Sequence, residues 1–287
     1  MDSTMLQDIG EIPLKLGISF VLILLAGKFE NHFWKLLVIF LQNAISSAGS
    51  NKLGIVIHVL TTLIIWLIPR FENFLYMTRQ GCVMITGCDS GMGQATVVYL
   101  AKTNTDKSGY EQIFAACFNP KASQEAFEKL LTSEEMKFVT VVPLDVTDDK
   151  SCKRAADVVD KWIKVRKDKE SSKGLVGIIQ FHGIAFNGPA AYMPMDMYER
   201  QLQVNFFGNL RVVQNFLPIM KKRSSTLGGR IIFTGTGGGS CSPCPPLLTA
   251  YMSSKFATEA YCQSLRAELY MTGANIECSV INPGFGK

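Results

Sequence analysis

The stretch Thr86-Gly-Cys-Asp-Ser-Gly-Met-Gly93 decides the fold of this chain. An apolar run at residues 82–86 leads into it, and a helical pattern at residues 94–102 follows it. Its three glycines permit a tight turn and let a bound pyrophosphate come close to the backbone. The helix that follows would present free N–H groups to that phosphate. Glycines also serve ordinary turns, but a strand before them and a helix after them favour a dinucleotide site.

Beyond this loop, short apolar runs alternate with longer amphipathic stretches. Strands are predicted at residues 82–86, 113–118, 138–144, 177–181, 230–234 and 276–281. Helices are predicted at residues 94–102, 122–131, 150–166, 197–220 and 254–271. Apolar strands that alternate with helices indicate a parallel sheet covered on both faces. We therefore predict an α/β fold with a doubly wound, Rossmann-like parallel sheet, whose ligands bind beyond the carboxyl ends of the strands.

The chain is 47% hydrophobic and 18% charged, and its excess of apolar residues lies before residue 75. Residues 53–69, LGIVIHVLTTLIIWLIP, carry no formal charge and reach the lower limit of about 17 residues for a bilayer-spanning helix. Weaker apolar runs occupy residues 13–26 and 33–45, and buried core helices are the alternative for all three. We predict a membrane anchor of one to three hydrophobic helices over residues 1–75 and a separate domain over residues 80–287. Basic residues on both sides of the span leave its orientation open.

Charge and cysteine content argue against other classes of protein. The formal charge of +5 is scattered, and its densest run, at residues 161–173, also holds acidic residues. That mixture is typical of a solvated helix end, so no nucleic-acid partner is predicted. Eight cysteines in a chain long enough for its own core do not indicate a disulfide framework. Cys241 and Cys244 form a close pair without two further ligands nearby, so no metal site is predicted.

The glycine spacing is not the common G-x-G-x-x-G but resembles the T-G-x-x-x-G-x-G loop of the short-chain dehydrogenase/reductase family. Further motifs of that family follow in order: Leu144-Asp145-Val146, Asn205 within VNFFG, Tyr251-Met-Ser-Ser-Lys255 and Asn282-Pro-Gly284. The resemblance extends from residue 80 to the end of the chain, and it implies a catalytic domain there.

Short sequence motifs narrow the resemblance to one branch of the family. GCDSG at residues 87–91 is similar to the retinol dehydrogenases. GRIIFTGT at residues 229–236 and SPC at residues 242–244 are similar to type 2 11-beta-hydroxysteroid dehydrogenase, and VNFFG at residues 204–208 is similar to the type 2 17-beta enzyme. The branch implies hydride transfer between a nicotinamide cofactor and a hydrophobic alcohol or ketone, a steroid or retinoid. It also implies attachment to a membrane, that of the endoplasmic reticulum; a homodimer is left open.

The resemblance also implies the cofactor contacts. They are Thr86, Gly87, Asp89, Ser90, Gly91, Met92, Gly93, Asp145, Val146, Gly183, Lys255, Pro283 and Gly284. Cofactor choice is read where the second strand ends, since an acid there binds the ribose 2′-hydroxyl and a base favours a 2′-phosphate. Cys117-Phe-Asn-Pro-Lys121 offers no acid and one lysine. Because retinol dehydrogenases with similar neutral stretches mostly use NAD, NAD is expected over NADP.

Tyr251 and Lys255 are the predicted centre of the chemistry. A free tyrosine has a pKa of about 10, which is too high for a base at neutral pH. A nearby ammonium group lowers that value, and residues four apart share a helix face. Tyr251 is therefore the predicted acid/base and Lys255 its electrostatic partner and ribose ligand. The family also implies that Asn205 holds a water linked to Lys255.

Three departures from the family pattern favour an alternative function. Thr236 stands where the family has its substrate-orienting serine, with Ser240 and Ser242 as other candidates. Gln180-Phe-His-Gly183 replaces Asn-Asn-Ala-Gly, so His182 is either a tolerated substitution or a new proton relay. The chain ends at Lys287, where family members continue, which suggests truncation at the carboxyl terminus. The alternative is a catalytically weak or inactive binding or scaffold protein that keeps the fold.

Overall fold

Six parallel strands form the central sheet in the part of the chain that the structure describes. In chain order they are β1 (Cys82–Thr86), β2 (Gln112–Cys117), β3 (Val139–Pro143), β4 (Leu175–Gln180), β5 (Gly229–Thr234) and β6 (Ile276–Ile281). Across the sheet the order is β3-β2-β1-β4-β5-β6, and every neighbouring pair is parallel. The predicted doubly wound α/β sheet is therefore confirmed.

The structure of the chain is a computed structural model that describes residues 81–104, 109–167, 174–222, 228–237 and 244–284. These residues belong to one unit, Met77–Lys287. The predicted anchor at residues 1–75 lies outside the described residues, as do Ser240, Cys241, Ser242 and Lys287. No helix among the described residues combines the length and the apolar character that crossing a bilayer requires.

Seven α-helices and one π-helix connect the described parts of the strands. They are α1 (Gly91–Thr103), α2 (Pro120–Leu130), α3 (Ser133–Met136), α4 (Asp149–Lys167), α5 (Met195–Leu202), the π-helix (Gln203–Phe207), α6 (Gly208–Lys221) and α7 (Thr249–Met271). Local sequence explains several of the starts. Pro120 opens α2 behind the capping side chain of Asn119, and Thr132 and Glu135 form a reciprocal capping box on α3.

The sheet is buried on both faces, which explains why its strands read as continuous apolar runs. On one face, Val83 and Ile85 of β1 pack with Val97 of α1 and Phe127 of α2. On the other face, a larger cluster joins the sheet to α4, α6 and α7. It includes Met84, Phe114, Ile178, Phe233, Val159, Phe216 and Leu265. Burial at these positions holds the carboxyl ends of the strands in fixed register.

Two structural details differ from the sequence prediction. The helix predicted at residues 197–220 is three segments, because the π-helix interrupts it around Asn205. The helix predicted at residues 254–271 begins earlier, at Thr249, so Tyr251 lies in its first turn. Both differences involve predicted catalytic residues, and π-helices of this kind are frequent at functional sites.

Strand order reverses between β1 and β4, because the chain runs outward to β3 and then returns to the other side of β1. The register of this pair sets Thr86 opposite Gln180 at the carboxyl ends. In open α/β sheets, ligands bind in the crevice at such a reversal.

Candidate active site

A cavity of about 1340 Å³ opens at this reversal of strand order. Most of the predicted cofactor contacts line it: Gly87, Asp89, Ser90, Gly91, Met92, Gly93, Asp145, Val146 and Gly183. Thr86 is fully buried beneath it, and Lys255 is buried beside it. Pro283 and Gly284 lie elsewhere, against Gly237 in the segment that follows β5. The structure thus divides the predicted residues between a candidate cofactor cavity and a neighbouring candidate catalytic corner, which comprises Thr236, Tyr251 and Lys255.

The glycine loop, residues 86–93, fits the pyrophosphate of a dinucleotide. Gly91 has a φ of +56°, and a Cβ added there would meet no atom within 4 Å, so the backbone faces open space. The α1 helix begins at this residue, and its first turn holds no acidic side chain. Its amino-terminal N–H groups and helix dipole therefore favour an anion at the loop.

Asp145 also lines the cavity, from the segment just after β3. Its Oδ1 accepts hydrogen bonds from the backbone N–H of Thr147 at 2.8 Å and from the Thr147 hydroxyl at 2.7 Å. Its own backbone N–H donates to the Ser151 hydroxyl at 2.9 Å. These contacts fix the carboxylate in the position where the family resemblance implies an adenine contact.

Tyr251 and Lys255 lie together, as their spacing predicts. Lys255 Nζ is 5.5 Å from the centroid of the Tyr251 ring, a distance at which a cation and an aromatic face attract each other. The Lys255 side chain is 4% exposed, and its ammonium group donates to the Thr234 carbonyl oxygen at 2.9 Å. A Cβ at Gly183 would lie 3.6 Å from Lys255 Nζ. Gly183 thus brings the catalytic corner next to the cavity wall.

Asn205 ties the segment after β4 to helix α7. Its Oδ1 accepts from the Ile184 N–H at 2.8 Å, and its Nδ2 donates to the Ile184 carbonyl at 2.9 Å and to the Ser254 hydroxyl at 3.0 Å. Protein oxygens therefore take both amide hydrogens. The predicted role of Asn205 in holding a water stays a prediction, and the contacts give the side chain a positioning role.

Thr236 lies beside Tyr251, where the substrate-orienting hydroxyl was predicted. Its backbone N–H donates to Asn282 Oδ1 at 3.0 Å, and Asn282 Nδ2 in turn donates to Glu259 Oε1 at 3.1 Å. The Thr236 side chain is also close enough to the Tyr251 phenol to lower the pKa of that phenol. The alternatives Ser240 and Ser242 lie outside the described residues.

Burial is the main cause of the pKa shifts of Tyr251 and Lys255, the two predicted catalytic groups. It raises the pKa of Tyr251 above its usual value, and the Thr236 side chain offsets this in part. It lowers the pKa of Lys255 to about 8. The prediction that Lys255 leaves Tyr251 with a lowered pKa is therefore wrong, because burial raises the pKa of that phenol. Desolvation of the phenol is the largest cause of this rise, and the Lys255 ammonium group is bound to the Thr234 carbonyl oxygen.

His182 is a neutral buried residue. Its Nδ1 forms a 2.6 Å hydrogen bond with the Thr86 hydroxyl. Burial lowers the pKa of His182 to about 3, and the positive charge of Lys255 adds to this effect, whereas the Val204 backbone opposes it. A ring with that pKa does not accept a proton near neutral pH. The structure therefore favours a tolerated substitution over a proton relay.

The His182 pKa predicts how stability depends on pH. An unfolded histidine titrates near 6.5, but folded His182 stays neutral down to about pH 3, so acid favours the unfolded chain. The free energy of unfolding should fall by about 2 kcal/mol from this source between pH 7 and pH 5. The variant His182→Asn should lack this part of the slope, as measured by urea unfolding at both pH values. Parallel slopes in the two proteins would contradict the buried neutral ring.

Sequence reasoning missed several residues at the site. Glu199 and Arg200 of α5 line the cavity, and no motif marks them. The Tyr198 hydroxyl is 2.8 Å from Thr249 Oγ1 and links α5 to the first turn of α7. The contact between Asn282 and Glu259 joins two distant segments, so only the Asn-Pro-Gly motif could have pointed to it.

Comparison with known proteins shows the family to which the sequence is similar. The sequence model of the family described as short chain dehydrogenase matches residues 81–287. Dehydrogenase/reductase SDR family member 9 of Bos taurus is 35% identical over 212 residues, 71% of this chain and 56% of that protein. The 3beta-hydroxysteroid dehydrogenase dhs-16 of Caenorhabditis elegans is 33% identical over 238 residues, 80% of this chain and 56% of that protein. Retinol dehydrogenase 5 of Mus musculus is 27% identical over 240 residues, 81% of this chain and 64% of that protein. The chain thus spans 56–64% of the length of these relatives.

Solved structures show the same fold at lower identity. A NADPH-bound carbonyl reductase from chicken fatty liver has a TM-score of 0.61 at 24% identity, covering 72% of this chain and 77% of that one. A short-chain dehydrogenase from Streptomyces avermitilis has a TM-score of 0.57 at 20% identity, covering 73% of this chain and 67% of that one. At these identities the likeness concerns the fold alone.

Proposed function

Because the chain belongs to the short-chain dehydrogenase family, we propose that it is a membrane-anchored oxidoreductase that transfers hydride between a nicotinamide cofactor and a lipophilic alcohol or ketone. The observation that carries the proposal is the position of buried Lys255. Its ammonium group lies 5.5 Å from the Tyr251 ring and next to Gly183 on the wall of the dinucleotide cavity. The proposed proton-transfer group, Tyr251, therefore lies close to the wall of the proposed cofactor cavity.

Tyr251, Lys255 and Thr236 have separate roles in the proposed reaction. The nicotinamide ring, when bound, supplies the hydride donor or acceptor. Tyrosine keeps its proton at pH 7, and burial, which raises the pKa of Tyr251, reinforces this, so the phenol can donate a proton to a carbonyl oxygen. The Lys255 cation stabilises the phenolate left by that donation, and the Thr236 hydroxyl, close to the phenol, orients the substrate oxygen. In the direction of alcohol oxidation the same phenol accepts the proton.

A steroid or retinoid is the proposed substrate class. Relatives carry the names 3beta-hydroxysteroid dehydrogenase and retinol dehydrogenase. Exposed apolar side chains near the catalytic corner support a lipophilic ligand: Tyr192 is 83%, Met195 70% and Leu247 52% exposed. The two segments that carry them meet where the Gly188 N–H donates to the Leu247 carbonyl at 2.9 Å, four residues before Tyr251.

Membrane attachment and the cofactor complete the proposal. The uncharged run at residues 53–69 is long enough for a short span, and a lipid-soluble substrate suits an enzyme held at a bilayer. We place the protein in the endoplasmic reticulum membrane, in line with the branch that it resembles. NAD is the proposed cofactor, with NADP the less favoured alternative.

The test is NADH formation by the purified protein in detergent micelles. A retinol, a 3β-hydroxysteroid and the water-soluble alcohol propan-2-ol are supplied with NAD, and binding of NADH and of NADPH is titrated separately by fluorescence. Turnover of a lipophilic alcohol but not of propan-2-ol is expected. Tight NADH binding without turnover of any alcohol, or of the matching ketones with NADH, would favour the binding-protein alternative. Failure to bind either dinucleotide would overturn the assignment.

A further inference from the structure

We infer that Asp89, in the glycine loop, makes this site selective for NAD by occupying the position that a 2′-phosphate would need at the end of β2. The inference rests on the proposed function and deepens it. The sequence has no acid at the end of β2, where the family rule looks for one. The structure brings an acid to that place from another segment.

Two backbone N–H groups after β2 donate to the Asp89 carboxylate. Phe118 N donates to Oδ2 at 2.9 Å, and Asn119 N donates to Oδ1 at 2.7 Å. The hydroxyl of buried Ser123 lies 3.3 Å from Oδ1. The Asp89 carboxylate thus binds two N–H groups of the loop between β2 and α2. It lines the cavity together with Phe118 and Asn119.

The Asp89 carboxylate occupies a position that favours a negatively charged group. Helix α2 begins at Pro120, so N–H groups just before its amino terminus and its dipole attract negative charge. A 2′-phosphate bound there would need the same N–H donors. It would have to displace the carboxylate and then remain beside a charge of its own sign. A 2′-hydroxyl faces no such conflict, because it can donate a hydrogen bond to a carboxylate with unused lone pairs.

Lys121, in contrast to Asp89, would favour binding of a 2′-phosphate. It is exposed, it lies in the first turn of α2, and it is the cation that could attract a 2′-phosphate. With Asp89 present, the carboxylate already holds the N–H groups that would complete a phosphate site. Removal of Asp89 should therefore expose a phosphate site made of two N–H groups and one lysine.

The experiment measures dissociation constants for NADH and NADPH with the full-length chain, by fluorescence titration. The wild type should bind NADH at least about tenfold more tightly than NADPH, and Asp89→Ser should change that ratio by about tenfold or more toward NADPH. Lys121→Ala in the Asp89→Ser background should remove most of the gain. Glu199→Gln is the matched control, because it removes a carboxylate that lines the same cavity from α5 and should change both affinities alike.

Failure of the role of Asp89 and failure of the proposed function would give different results. A ratio in Asp89→Ser within about twofold of the wild-type ratio, with an unchanged midpoint of thermal unfolding, would overturn the role of Asp89 alone. Preference of the wild type for NADPH would overturn it as well. Asp89→Asn gives a second reading if the serine variant is unstable, since it removes the charge at nearly constant volume. If the wild type binds neither dinucleotide, the proposed function fails together with the inference.

Discussion

Replacing Tyr251 by Phe is expected to lower kcat by about 10²–10⁴-fold while leaving the affinity for NADH nearly unchanged. The phenol supplies the proton that the reaction moves, and the aromatic ring that packs near Lys255 Nζ at 5.5 Å is kept. Tyr251 is only half buried, so loss of its hydroxyl should cost little stability. Steady-state turnover of the best alcohol and a separate NADH titration give the two quantities.

Tyr198→Phe is the matched control for Tyr251→Phe. It also removes one phenol hydroxyl close to the first turn of α7, the group that bonds to Thr249 at 2.8 Å. Because Tyr198 has no assigned part in proton transfer, its variant should keep kcat within about threefold of the wild-type value. Equal losses in both variants would show that disturbance of α7, and not removal of the acid/base, explains the effect. Full activity of Tyr251→Phe would refute the assignment directly.

The sequence was sufficient for the fold because its signals are local and repeated. Apolar strands alternate with helices, and the glycine loop fixes which strand is first. The strands predicted at residues 82–86 and 276–281 coincide with β1 and β6, and the ends of the other four differ from the observed ones by at most two residues. The same motifs brought Tyr251, Lys255 and Thr236 to one corner, where the structure places them.

The properties that the sequence could not predict depend on contacts between distant segments. The spacing of Tyr251 and Lys255 predicts a shared helix face, but it does not reveal that Lys255 donates to the carbonyl at the end of β5. Burial then decides the pKa of the phenol, and burial depends on the whole packing of α7. The contacts of Asp89 could not be predicted from the sequence either. Its partners lie about 30 residues further along the chain and become neighbours only through the pairing of β1 with β2.

Gly93→Ala should nearly abolish dinucleotide binding, with an affinity loss of about 100-fold or more. A Cβ at Gly93 would lie 2.2 Å from the Gly87 carbonyl oxygen, 2.8 Å from the Gly87 carbonyl carbon and 3.1 Å from Cys88 Cα. All three are backbone atoms, so no side chain can rotate away and the loop itself must open. Opening it moves the N–H groups of α1 away from the pyrophosphate, and geometric errors of about 1 Å are costly in such sites.

Gly188→Ala provides the control for Gly93→Ala, because it adds the same methyl group outside the glycine loop. A Cβ there would meet only the terminal methyl of Met193, at 3.3 Å, and that flexible side chain can move. NADH titration should therefore give nearly wild-type affinity for Gly188→Ala and very weak binding for Gly93→Ala, in proteins that both remain folded by circular dichroism. Unchanged affinity in Gly93→Ala would mean that the loop can open without losing its ligand. The dinucleotide would then be held by the other walls of the cavity, and the glycine loop would be only the turn that joins β1 to α1.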